Sequence, residues 1–274
     1  HEGDIFDYND FEDQTPDWAK KENARDLTGK KSTDPGYDPS TLLVPVQALN
    51  EATPAMRQFW QIKSQNYDKI ILFKIGKFYE LFYDDALIGH KELDLNWMGN
   101  KMHVGFPERA LERYGYQLVE KGYKVCVVEQ AETPRQMEER LRNQKSGKKE
   151  KTIRRDVVQV MSRGTYISPQ ESKNEPKVLL ALRCRNTMVS VVFLEAGTNH
   201  ITLGCLEDDE NFTLFKTFVS QIRPVEVIYE SMETPPILLR ILRNCSTEPV
   251  LFQVNDPKSW NAMQGYAELE TYCG

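Results

Sequence analysis

The run Lys69-Ile70-Ile71-Leu72-Phe73-Lys74-Ile75, cut short by Gly76, constrains the fold of this chain more than any other feature. It is apolar and β-favouring, which predicts a buried strand. Gly76 permits a turn, and the chain resumes as Lys77-Phe78-Tyr79-Glu80-Leu81. A large aromatic and a carboxylate stand two residues apart, next to a glycine turn and a lysine. In an extended segment Tyr79 points away from Phe78 and Glu80, so Tyr79 is read as a packing residue. Packing alone is a poor account of the remaining pair. The combination suits a finger that pushes an apolar wedge into a nucleic acid and inspects a base with a polar atom; the plainer alternative makes Phe78 a core residue.

The elements around this strand follow from local signals. Thr53-Pro54 opens a helix, with Thr as N-cap and Pro at the first helical position. Residues 106–121 carry Ala110, Leu111, Tyr114, Leu118 and Val119 at helical spacing, and Gly122 ends the run. Residues 123–129 predict a strand, and Thr133-Pro134 starts another helix. The polar stretch from Asn143 to Lys151 marks a boundary. A second domain is expected from near Asp156, with strands at 156–161, 178–183, 188–194 and 200–206. A helix, strand and helix follow from Phe212, with a last strand at Phe252 and a helix over 260–272. The fold class is therefore α/β with mixed sheets. The domains are expected at 1–40 (a polar, extended arm), 41–150 and 151–274.

Charge is uneven along the chain. The net charge of −6 hides a surplus of +5 over residues 69–155, while residues 1–38 alone carry 11 acids and 5 bases. An acidic total thus does not exclude nucleic-acid binding, because a local basic surface is what meets phosphates. No apolar run approaches the roughly 20 residues of a membrane helix. His1-Glu2-Gly3 lacks both methionine and a signal pattern, and Tyr272-Cys273-Gly274 shows no helix stop. Both ends imply a piece of a longer protein.

Other chemistries find little support. The five cysteines form no CxxC pair and the four histidines are scattered, so neither a disulfide framework nor a metal site is expected. No phosphate-binding P-loop, GxSxG, HExxH or EF-hand pattern occurs. The pairs Asp84/Asp85 and Asp208/Asp209 stand at helix starts, where capping explains them. A metal nuclease needs several clustered carboxylates, and the strands at 156–161 and 188–194 offer only Asp156 and Glu195. A protein-interaction module without DNA contact is the other alternative, supported by the acidic arm and the acidic second domain.

The ordered set Phe73-Lys74-Ile75-Gly76-Lys77-Phe78-Tyr79-Glu80-Leu81-Phe82-Tyr83, Asp85-Ala86, Gly105-Phe106-Pro107, Gly122-Tyr123-Lys124-Val125, Val128-Glu129-Gln130 and Glu132-Thr133-Pro134 resembles the mismatch-recognition signature of MutS proteins. Tyr37-Asp38-Pro39-Ser40-Thr41-Leu42 and Trp60-Gln61-Ile62-Lys63-Ser64 are similar to the lead-in of the eukaryotic subunit that reads the mispair within a heterodimer. The resemblance implies a mismatch-binding domain over 41–150, then an RNase H-like connector domain over 151–274. It implies that Phe78 wedges beside the mispair and kinks the duplex, and that Glu80 hydrogen-bonds the loosened base. Lys77 is placed for a backbone phosphate, and Ile75 and Met98 match apolar positions flanking the mispair. Purine N7 and carbonyl oxygens are acceptors, and only a protonated carboxyl donates to them. This reading therefore requires Glu80 to carry a proton on DNA. The partners implied are mismatched duplex DNA and a second MutS homologue subunit, in the nucleus and with no membrane. No cofactor and no enzymatic activity are expected of this segment; ATP and Mg belong to an ATPase domain that it lacks.

Overall fold

The computed structural model describes residues 14–144, 150–166, 177–230, 233–254 and 257–273. The chain divides into two compact units: residues 14–32 with 40–162, and Thr33–Pro39 with the chain from Arg163 onward. Each is an α/β structure built on one mixed sheet.

The first unit contains strands β1 (Lys69–Ile75), β2 (Phe78–Phe82), β3 (His103–Pro107), β4 (Lys124–Gln130) and β5 (Arg155–Met161). Its helices are α1 (Val46–Glu51), α2 (Pro54–Ser64), α3 (Asp84–Leu93), α4 (Leu111–Glu120) and α5 (Pro134–Asn143). The strand order is β3-β2-β1-β4-β5. β1 is the central strand, antiparallel to β2 and parallel to β4. Its apolar run is continuous because helices cover both faces of the sheet there. Phe59 and Trp60 of α2 join Ile71, Phe73, Cys126 and Val128 on one side. On the other, α3 lies against Leu81 and Val104 at Gly89, and α4 lies against Met161 at Gly115.

The caps read from the sequence are present. The Thr53 side chain accepts from the Met56 N–H at the start of α2. Thr133 and Gln136 form a reciprocal capping box at the start of α5, which satisfies two of the free N–H groups of a helix start.

Four expectations need correction. Residues 14–39 do not form an extended arm: Trp18 meets Trp60 edge-on at 4.7 Å, and Ala19 and Ala24 are buried in the same core. Asp26 organises a tight loop, accepting from the N–H groups of Thr28 and Lys30. Residues 1–13 lie outside the described residues. The strand 156–161 belongs to the first sheet, not the second, because β5 pairs antiparallel with β4. The boundary therefore falls near residue 162 rather than 150. Local polarity cannot show this, because a polar stretch inside a domain resembles a linker; residues 145–149 of that stretch lie outside the described residues. Phe106-Pro107 ends β3 instead of opening a helix. Asp85 is not a surface cap but is buried, with its carboxylate 2.8 and 3.0 Å from Lys63 Nζ and accepting from the Ile71 N–H. Burial pushes this carboxyl upward, and Lys63 works against that shift.

The second unit contains β6 (Val178–Arg185), β7 (Met188–Glu195), β8 (His200–Glu207), β9 (Glu226–Tyr229) and β10 (Val250–Gln253), in the order β10-β9-β6-β7-β8. β6, β7 and β8 form an antiparallel meander, and β9 and β10 add parallel strands. Helices α6 (Thr213–Ile222) and α7 (Pro236–Arg243) place Phe215, Val219, Leu238 and Leu242 on Leu180, Leu182, Val189 and Val227. α8 spans Ala262–Cys273. Asp208 and Asp209 cap α6 as expected: Asp208 accepts from the N–H of Phe215, and Asp209 from that of Thr213.

Candidate nucleic-acid interface

The β1–β2 hairpin builds the site. Ile75 and Phe78 are direct cross-strand partners, so Gly76-Lys77 is a two-residue turn. Gly76 has φ +59°, a conformation in which a side chain would be strained and glycine is not. The turn is pinned at its far side, where the Lys77 carbonyl accepts the Glu108 N–H at 2.9 Å. The Lys77 side chain is exposed.

Strand alternation then sorts β2 into two faces. Tyr79 and Leu81 are buried. The Tyr79 hydroxyl donates to Glu129, and Lys74 Nζ lies 4.5 Å from the Tyr79 ring centroid and 2.7 Å from Glu108. Burial, with the Glu129 hydrogen bond second, pushes the Tyr79 hydroxyl well above its ordinary value. This side is packing.

Phe78 and Glu80 look the other way. The Phe78 ring is 43% exposed at the hairpin tip, beside Ile75, which is partly buried against the core. The register Phe78↔Pro107, Glu80↔Gly105 and Phe82↔His103 puts those β3 residues on the same face. Met98 is 41% exposed and joins this face from the loop before β3. Its N–H bonds to the His103 carbonyl, and its Sδ lies 3.1 Å from where a Gly105 Cβ would be. A Cβ there would be tight, since the Tyr79 carbonyl oxygen is also 3.1 Å away. The structure thus gathers Ile75, Phe78, Glu80 and Met98 on one surface, with Lys77 at its tip.

Two residues of this surface escaped the sequence reading. His103 Nε2 lies 2.7 Å from Glu80 Oε2, and its ring stacks on Phe82 with centroids 4.7 Å apart and planes 18° apart. Arg155 of β5 lies over the Phe73 ring at 4.9 Å and donates through Nε to the Lys74 carbonyl at 2.6 Å. Burial holds the Arg155 guanidinium below its usual range, and the Glu80 charge works against that shift. Glu80 is thus flanked by a histidine and a cation. Period-two alternation back from Gly105 would have put His103 on the right face; only the register put it opposite Phe82.

The alternatives gain nothing from the geometry. Asp156 lies on β5 of the first unit and Glu195 on β7 of the second. Among the described residues no group of three or more His, Cys, Asp or Glu is disposed to hold a metal ion. No described helix is long and apolar enough to cross a membrane.

Comparison with known proteins bears on the same residues. The family profile of MutS domain I matches residues 53–170, which include the whole surface just described. The human DNA mismatch repair protein Msh6 is 40% identical over 266 residues, covering 91% of this chain and 19% of the relative. DNA mismatch repair protein MSH6 of Arabidopsis thaliana is 38% identical over 216 residues, covering 74% and 16%. A bacterial relative, DNA mismatch repair protein MutS of Macrococcus caseolyticus, is 27% identical over 213 residues, covering 76% and 23%. The chain spans about one fifth of the length of the relatives it matches.

Proposed function

The chain belongs to the MutS family of DNA mismatch repair proteins, and from that premise we propose that it binds mispaired duplex DNA through the surface carrying Phe78 and Glu80. The observation that carries the reading is the exposed Phe78 ring on a pinned two-residue turn, two residues from a carboxylate on the same face. An apolar ring inserted between base steps unstacks them and kinks the duplex; unstacking costs a few kcal/mol per step, and less where pairing is already faulty. Such a wedge selects by deformability rather than by a sequence code. Ile75 and Met98 offer apolar contact to the unstacked bases, and Lys77 offers a charge to the backbone. Glu80, flanked by His103, is the polar probe of the displaced base.

The unit from Arg163 onward serves in this reading as the connector, with a partner MutS subunit completing the DNA clamp and ATP and Mg chemistry lying outside the fifth of its relatives' length that this chain spans. This segment acts by binding and not by catalysis, in the nucleus. The test is binding of the chain to a labelled G·T duplex and its G·C counterpart over a salt series, followed by fluorescence anisotropy. Affinity should fall with salt as phosphate contacts predict, and the G·T preference should vanish in Phe78→Ala. Equal affinity for both duplexes, or a preference that survives Phe78→Ala, overturns the proposal. No salt-dependent binding at all favours a protein-interaction module instead.

A further inference from the structure

Glu80 can donate to a base acceptor only if it carries a proton, and His103 is the group placed to deliver one. The imidazole Nε2 sits 2.7 Å from Glu80 Oε2, and both side chains are largely buried, at 19% and 12% exposure. The ring is clamped by its stack on Phe82, directly across from it in the β2–β3 register. Glu80 lies across from Gly105 in the same register, and only a glycine Cα faces it there. Arg155 of β5 acts on Glu80. Lys77 in the turn and Lys74 of β1 act on Glu108, and Tyr79 and Glu129 bond to each other on the opposite face.

We propose that His103 is the proton carrier of the mismatch probe, holding Glu80 as an imidazolium–carboxylate pair in the free chain and protonating it when a mispaired duplex seats. The inference rests on the reading of Glu80 as that probe. In the step, the His103 Nε2–H bond breaks and an Oε2–H bond forms on Glu80. The electron pair stays on Nε2, and Nδ1 keeps its proton. The pair has zero net charge before and after, so no proton need come from solvent. Phosphate potential stabilises the imidazolium and destabilises the carboxylate, so to first order it does not choose between the two states. Desolvation does choose: covering the pair disfavours both charged members and favours neutral imidazole beside neutral acid. Arg155, fixed to the Lys74 carbonyl, places a positive charge near Glu80. The neutral acid then turns its Oε2–H from Nε2 to the base acceptor, leaving Nε2 neutral, and selectivity follows because a fully paired duplex does not seat there.

The experiment measures G·T against G·C affinity of the whole chain for wild type, Phe78→Ala, His103→Gln and the double variant His103→Gln/Glu80→Gln. Loss of preference in Phe78→Ala establishes the parent reading, and its persistence overturns that reading along with this one. His103→Gln should lower the preference roughly tenfold, the worth of about one hydrogen bond to a charged or strongly polar group. The double variant should regain it, because an amide donates without needing a proton. An undiminished preference in His103→Gln, or a double variant as impaired as the single, overturns the proposal while leaving the parent reading intact. Should the variants fail to fold, ¹⁵N-histidine NMR of the wild-type chain decides. The His103 ring should carry two ring protons in the free chain and one with the G·T duplex bound. A ring whose protonation is the same in both states overturns the proposal.

Discussion

The two faces of β2 are made of alternate residues of one short strand, yet they are built on opposite terms. Tyr79 and Leu81 enter a closed layer. Phe78 and Glu80 enter an open one, where a ring is left 43% exposed and a carboxylate meets a histidine instead of solvent. The same contrast separates two ion pairs of the first unit. Lys63–Asp85 is enclosed, with the Ile71 N–H and the Lys69 carbonyl using up its remaining bonding capacity. His103–Glu80 sits under an exposed rim and is completed by a fixed arginine nearby. The first pair is arranged to stay as it is. The second is the one we propose to change when a duplex covers it.

The largest expected effect breaks the closed pair. Lys63→Met strands a buried carboxylate, and urea unfolding should show a loss of about 3–5 kcal/mol. Duplex preference measured at a temperature where the variant is folded should be unchanged. Next comes the direct comparison within β2. Leu81→Ala should cost about 2–5 kcal/mol by the same measurement. Phe78→Ala should cost under about 1 kcal/mol, since much of that ring is already in water, while abolishing the G·T preference. If both cost the same stability, the two faces are not distinct. Gly105→Ala probes the seam between them. Its Cβ would press on the Tyr79 carbonyl and Met98 Sδ, so a loss of about 1–3 kcal/mol is expected, with weakened G·T binding because Glu80 is displaced. The smallest effect serves as a control away from both faces. Thr133→Ala removes the capping box of α5, at about 1 kcal/mol, and should leave duplex discrimination untouched.

Much of this was legible in the linear chain, and the reason is local. β1 has the bounds its apolar run predicted, and the Gly76 turn falls where backbone freedom was called for. Thr53 and Thr133 cap the helices they precede. Tyr79 faces inward because strand alternation forces it to once Phe78 faces out. What failed was whatever depended on a distant partner. β5 looked like the start of the second domain because a polar stretch of sequence precedes it; its pairing with β4 decides otherwise. Residues 14–39 looked like an arm because their apolar residues are sparse, but Trp18, Ala19 and Ala24 needed only a neighbour such as Trp60. Asp85 looked like a cap until Lys63, twenty-two positions away, closed over it.

The sequence by itself determined the residue types on this surface. An aromatic and a carboxylate on one side of an extended segment after a glycine turn are matters of local backbone geometry, and the surrounding signature determined the family. Only the tertiary structure decided what surrounds the carboxylate. Cross-strand register set His103 opposite Phe82 and beside Glu80, and the pairing of β4 with β5 brought in Arg155. Register and sheet order are fixed by the summed packing of both sheet faces, which no short stretch of sequence contains.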